Sequence, residues 1–134
     1  MKKSILLILS VLLLACSCSQ KADPEFLQTN DFCLRIKDNV IFNYNENTCQ
    51  SAFNRKKCEF RVHTDSMSDY YCVTLNGVPV SEGEKLSGDI VWTSTSSVLS
   101  KRGCNFVVSK LDAQRRVWLW SRKEQIGVVV QILD

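Results

Sequence analysis

Histidine occurs once in this chain of 134 residues, proline twice and glycine five times, and no apolar run continues past residue 14. Each scarcity removes a class of function. With His63 alone, and with no CxxC pair or His–Cys spacing, there is no zinc ligand set. No Gly-x-Ser-x-Gly elbow, His-Glu-x-x-His pair, phosphate loop or dinucleotide fingerprint appears, so the signatures of common hydrolases and nucleotide enzymes are missing. No dense DxDxDG-like cluster offers a calcium loop. The expectation is therefore no catalytic centre, no metal and no cofactor. The one apolar run, Ile5 to Leu14, is interrupted only by Ser10. It is well short of the roughly 20 residues a membrane-crossing helix needs.

What is present begins with that run. Lys2 and Lys3 precede it, and Leu13-Leu14-Ala15-Cys16 closes it, the layout of a signal peptide. The closing residues resemble the lipobox of bacterial lipoproteins: an aliphatic residue, a tolerant position, a small residue, then cysteine. The resemblance covers only the first twenty or so residues. It implies cleavage before Cys16, a diacylglycerol on its thiol and acylation of the new amino terminus. Two or three chains exceed the single chain that binds membranes only marginally. Cys18 fits less well, because Ala15 then stands where an aliphatic residue is preferred. Ser17, not Asp, follows Cys16; by the sorting rule of two-membrane bacteria this implies the outer membrane, facing the periplasm or the cell surface.

Loss of residues 1–15 leaves 119 residues, enough for one domain. With Lys2 and Lys3 gone, 15 basic residues stand against 14 acidic, which gives no general reason to bind nucleic acid. The basic pairs and triplets Arg55-Lys56-Lys57, Lys101-Arg102 and Arg115-Arg116 fall in or beside turns and read as solvated, with contact to an anionic envelope glycan as the alternative. Beyond Cys16, six cysteines remain (Cys18, Cys33, Cys49, Cys58, Cys72 and Cys104). In an exported chain they predict one or two disulfides and at least one buried free thiol.

Residues 16–29 are polar, contain Pro24 and lack apolar periodicity, which predicts a flexible tether. From residue 30 to 134 the apolar pattern has period two, with turn residues at short intervals. Strands are expected at Phe32–Ile36, Val40–Tyr44, Cys58–His63, Tyr71–Leu75, Ile90–Thr93, Cys104–Leu111, Val117–Ser121 and Ile126–Leu133. The polar stretch from Asn43 to Lys57 reads as irregular, with one helical turn around Ser51 to Phe53. "SEGEKLSG" and "TSTSSVLSKRG" read as loops. Val128-Val129-Val130 predicts a strand covered on both faces. The fold class is all-β: a small antiparallel sandwich or closed barrel of about eight strands.

Candidate sites are few. His63 could serve a nucleophile such as Cys72 only within hydrogen-bond reach, and a lone strand-end histidine is more often structural. Asp65, Asp69, Glu82 and Glu84 lie in loops, without the rigid frame a carboxylate pair requires. Asp65-Ser66-Met67 resembles a short O-glycosylation sequon of exported proteins in some two-membrane anaerobes, which would place a glycan on Ser66. In "RRVWLWSR", alternation puts Val117, Leu119 and Ser121 on one face, and Arg116, Trp118, Trp120 and Arg122 on the other. If the aliphatic face fills the core, these four form a contact surface for a protein partner or sugar ring. Average tryptophan burial favours the other arrangement, with Trp118 and Trp120 covered and arginine stems packed over them.

Together these features point to a non-catalytic envelope lipoprotein, held in the membrane by acyl chains on Cys16 and binding an envelope glycan or protein. A second reading is a lipid-anchored inhibitor of a lysozyme-like enzyme. Ser87-Gly88-Asp89-Ile90-Val91 and Trp120-Ser121-Arg122-Lys123 are similar in outline to that family's Ser-Gly-x-x-Tyr and Trp-Ser-Lys-Gly loops. They depart from it at Val91 and Lys123.

Overall fold

The computed structural model describes residues 22–45, 49–64 and 68–132. Cys16, Cys18 and Ser66 lie outside them. The described residues form one short helix, α1 (Pro24–Gln28), and nine strands. The strands are β1 (Phe32–Ile36), β2 (Asn39–Tyr44), β3 (Cys49–Asn54), β4 (Glu59–Thr64) and β5 (Tyr70–Leu75), followed by β6 (Lys85–Thr93), β7 (Val98–Leu111), β8 (Arg116–Ser121) and β9 (Ile126–Gln131). All belong to one antiparallel sheet of order β2-β1-β9-β8-β7-β6-β5-β4-β3, curled into a half-barrel. The fold is thus all-β as expected, but it is neither a closed barrel nor a two-sheet sandwich.

The additional strand is β3, where a helical turn was expected. It pairs along its length with β4, from Cys49 opposite Thr64 to Asn54 opposite Glu59. It is an edge strand, so its sequence lacks the alternation of a strand buried on one face; Phe53 is its buried anchor. Two strands also extend into supposed loops. β6 begins at Lys85, and β7 begins at Val98. Only Ser94 to Ser97 turns the chain between them, with the Ser94 hydroxyl accepting from the Ser96 and Ser97 amides. Val98, Ser100 and Arg102 are exposed, while Leu99 on the other face is half-buried opposite Trp92.

Turns follow side-chain chemistry. Asn54 accepts from the amides of Lys56 and Lys57 at 3.0 and 3.1 Å. Asp112 accepts from Gln114 and Arg116 amides at 3.0 and 2.8 Å, an Asx-type closure. Lys37, Cys58, Arg115 and Gln125 take positive φ at the ends of four hairpin turns.

Aromatic side chains fill the inside of the curl. Phe32 of β1 meets Phe60 of β4 at 5.9 Å, and Phe42 of β2 stands edge-on to Tyr71 of β5 at 5.0 Å. The Tyr71 hydroxyl donates to the carbonyl of Val129 in β9, so its polar tip is satisfied in a fully buried setting. Val117, Leu119, Val128 and Val130 complete the same core.

The outer face of β8 and β9 is covered as well, by the segment expected to be a tether. Asp23 caps α1, its carboxylate accepting from the Glu25 amide at 2.9 Å, and Pro24 occupies the first helical turn, where its missing N–H costs nothing. Phe26 then packs on Trp120 with ring centroids 5.6 Å apart and is 1% exposed. It lies so close to Gly127 that a Cβ there would meet its ring at 2.7 to 2.9 Å. Arg35 of β1 reaches Asp23 at 3.0 Å and Glu25 at 3.4 Å. The folded domain therefore includes Ala22, and residues 22–29 form a strap. This cover is why β9 carries three valines in a row and is buried on both faces.

Candidate functional site

The tryptophan face is covered in the folded chain. Trp118 is 0% and Trp120 4% exposed, beneath the strap. The Trp118 indole donates to the Thr29 carbonyl at 3.2 Å. Lys110 lies 4.4 Å above the Trp118 ring and donates to the Leu27 carbonyl at 2.8 Å. Arg116 is 5.8 Å from the same ring, bonds Asp112 at 2.8 Å and donates to the Asn30 carbonyl. The alternation of "RRVWLWSR" is as read, but the strap covers its aromatic face. Of the four residues proposed for that surface, only Arg122 is exposed.

The other chemical candidates are also dispersed. His63 stands opposite Tyr70, while Cys72 stands opposite Arg61. The His63 ring lies beside the Thr64 carbonyl at 3.2 Å, so no His63–Cys72 dyad is assembled. Glu84 is a turn residue whose carboxylate accepts from the Val80 and Ser81 amides. Among the described residues no group of three or more His, Cys, Asp or Glu is placed to hold a metal, and no helix is long and apolar enough to cross a membrane.

Cys33, Cys58, Cys72 and Cys104 are free thiols; of the six cysteines for which one or two disulfides are expected, the side chains of Cys18 and Cys49 lie outside the described ones. No two of the four free thiols face one another in the ladders. Cys33 sits under the strap, and burial pushes its thiol up to about 12 despite nearby Arg35. Burial also raises Cys104, helped by the charges of Glu124 and Asp89. Cys72 is raised by burial and then by Glu59. These three thiols are held in the protonated, unreactive form.

A groove of about 850 Å³ is the candidate site, within the usual size range for small-molecule sites. Strand register builds it. Lys85, Leu86 and Ser87 of β6 pair with Val107, Phe106 and Asn105 of β7, and Val107 pairs in turn with Trp120 of β8. The turn after β8 then brings Arg122 and Lys123 to the same groove. Leu86 and Phe106 are buried behind it, while Lys85, Asn105, Arg122 and Lys123 are exposed. Asn76 fixes the wall, exchanging amide and carbonyl contacts with Ser87 at 2.9 and 3.1 Å. Gln125 fixes the turn by donating to the Arg122 carbonyl at 2.6 Å.

Sequence reasoning missed this groove because its three cations come from two distant segments and form no cluster in the chain. The only linear hint was Arg122-Lys123 in a turn. A second concavity of about 360 Å³ lies between Arg55, Pro79, Asp112 and Arg115. Both of its arginines already interact with neighbouring groups. Compared with protein-family models, curated proteins and solved structures, the chain matches none.

Proposed function

We propose that this chain is an outer-membrane lipoprotein of a two-membrane bacterium, anchored through acyl chains on Cys16, whose β-domain binds a ligand without catalysis. The observation that carries the binding role is the basic groove, a concavity on the sheet bordered by Lys85, Arg122 and Lys123. The lipobox-like residues Leu13 to Cys16 carry the anchor. The strap adds a geometric consequence. Five residues, 17–21, separate Cys16 from Ala22, where packing begins, and the six steps of chain span at most about 20 Å when extended. The domain is held close to the bilayer. Labelled palmitate should enter the wild-type chain and not a Cys16→Ala variant; equal incorporation into both would reject the anchor. Antibody labelling of intact cells then separates surface display from a periplasmic orientation.

The lysozyme-inhibitor reading has one observation in its favour: Ser87 and Arg122-Lys123, distant in sequence, share the groove. Against it, Ser87 to Val91 lies within β6, paired with β5 and β7, and does not form a protruding loop. A muramidase assay with the purified chain distinguishes the two readings, since only the inhibitor lowers turnover.

A further inference from the structure

We propose that the groove receives an acidic oligosaccharide, with Lys85, Arg122 and Lys123 bound to its carboxylate or sulfate groups and Asn76 and Asn105 to its hydroxyls. The inference rests on the reading of this domain as a binding module and names its ligand class.

Charge satisfaction is the first argument. The half-buried cations elsewhere are used by the fold: Arg35 by Asp23, Arg116 by Asp112, and Lys110 by the Leu27 carbonyl. Among the described residues, the side chains of Lys85, Arg122 and Lys123 have no ion pair and no hydrogen bond. Lys56 and Lys57 are unpaired too, but they project from an exposed turn. The groove gathers three such charges around one concavity. Glu124, in the turn of Arg122 and Lys123, and Asp89 nearby are the opposing charges; the Asp89 carboxylate already accepts from the Gly103 amide at 2.9 Å.

The lining selects among anions. Asn76, Ser87 and Asn105 offer amides and a hydroxyl suited to sugar hydroxyls. Of the aromatic and aliphatic residues at the groove, Phe106 and Leu86 are buried and Val107 is half-buried. No ring is presented for base stacking, which single-stranded nucleic acid binding uses. No exposed apolar anchor is presented for a peptide helix or an acyl chain. An open groove bearing separated point charges suits a flexible chain with repeated negative groups.

The test uses the full-length chain in detergent, with polygalacturonate and dextran sulfate as probes, neutral dextran as control, and phosphatidylglycerol vesicles as the alternative anion source. The expected result is retention by at least one soluble polyanion, none by dextran, and weakening as sodium chloride is raised. Replacing Lys85, Arg122 and Lys123 by alanine should lower affinity roughly tenfold or more at low salt, whereas Lys56→Ala with Lys57→Ala should leave it unchanged. All three groove cations are exposed, so the triple variant should melt like the parent; if it does not, single charge reversals replace it. Binding to neither polyanion overturns the proposal. So does binding that survives the triple substitution, or binding to vesicles alone. Release of new reducing ends from a bound polyanion upholds the ligand class but ends the non-catalytic reading, and palmitate labelling tests the anchor separately.

Discussion

Cys33 couples this fold to alkaline pH. Its thiol has a reference value of 9.0 and is held at about 12 in the folded chain. Below pH 9 it is protonated in both states, and its burial carries no ionisation penalty. Between pH 9 and 12 the unfolded chain releases a proton that the folded chain retains, so stability falls as pH rises, by up to about 1.4 kcal/mol per unit. Thermal melts should therefore be flat to about pH 9 and decline above it, with a shallower decline in Cys33→Ala. A decline of equal slope in that variant assigns the effect to other groups. In site-resolved alkylation of the native protein, Cys58, half-exposed in its turn, should react first, and Cys33 and Cys104 only after denaturant. Ser121 makes the opposite kind of prediction. Its hydroxyl is fully buried and lacks a hydrogen-bond partner, so it carries a desolvation cost of about 1 to 3 kcal/mol. Ser121→Ala should leave stability unchanged or raise it by about 1 kcal/mol in urea titrations; a loss above 1 kcal/mol means that a partner exists. Alternation in the sequence placed Ser121 on the inward face, but only the fold reveals the missing partner.

At the scale of elements, the strap decides what the tryptophans do. The alternation of β8 was legible because its period of two is strict from Arg116 to Ser121. Its cover was not legible, because α1 is a single turn with two adjacent apolar residues, Phe26 and Leu27, and one turn shows no period. A signal did exist: Asp23-Pro24-Glu25 pairs an N-cap residue with proline at the first helical position and an acid in the first turn. β3 was obscured for a related reason. The sequence Cys49-Gln50-Ser51-Ala52-Phe53-Asn54 carries too little apolar alternation to stand out from a loop. The strap leads to a direct prediction. In a Trp92→Phe background, emission should be blue-shifted and resistant to acrylamide, because Trp118 and Trp120 are covered. Adding Phe26→Ala should cost about 3 to 5 kcal/mol and, under conditions where the sheet persists, shift emission to the red and admit quencher. Red, readily quenched emission before that change is incompatible with a packed strap.

At the scale of the whole molecule, the number of strands explains why the sheet stays open. Each of the eight pairings reverses direction, so in a sheet of nine strands the two ends, β2 and β3, run the same way. They are consecutive in the chain, with four residues between Tyr44 and Cys49. Side-by-side parallel pairing needs a crossover of a dozen or more residues. An antiparallel hairpin is ruled out by the odd count. The last seam of the barrel is thus closed to β2 and β3 by connectivity, and aromatic packing across the interior holds the curl in its place. A chain of eight strands with the same local pattern would close, so missing β3 in the sequence amounts to predicting a barrel. Openness has a measurable consequence for stability. β8 and β9 have hydrogen-bonded neighbours on both sides, the aromatic core on one face and the strap on the other, whereas β2 and β3 each have one neighbour. Hydrogen exchange should rank accordingly: amides of Val117 to Trp120 and Val128 to Val130 should exchange only through global opening, and those of β2 and β3 through smaller, local openings. The slow set should accelerate in Phe26→Ala by the full loss of global stability, while edge amides change less. Protection of β2 and β3 equal to that of β8 and β9 would show that their edges are paired after all, and would require a strand between them.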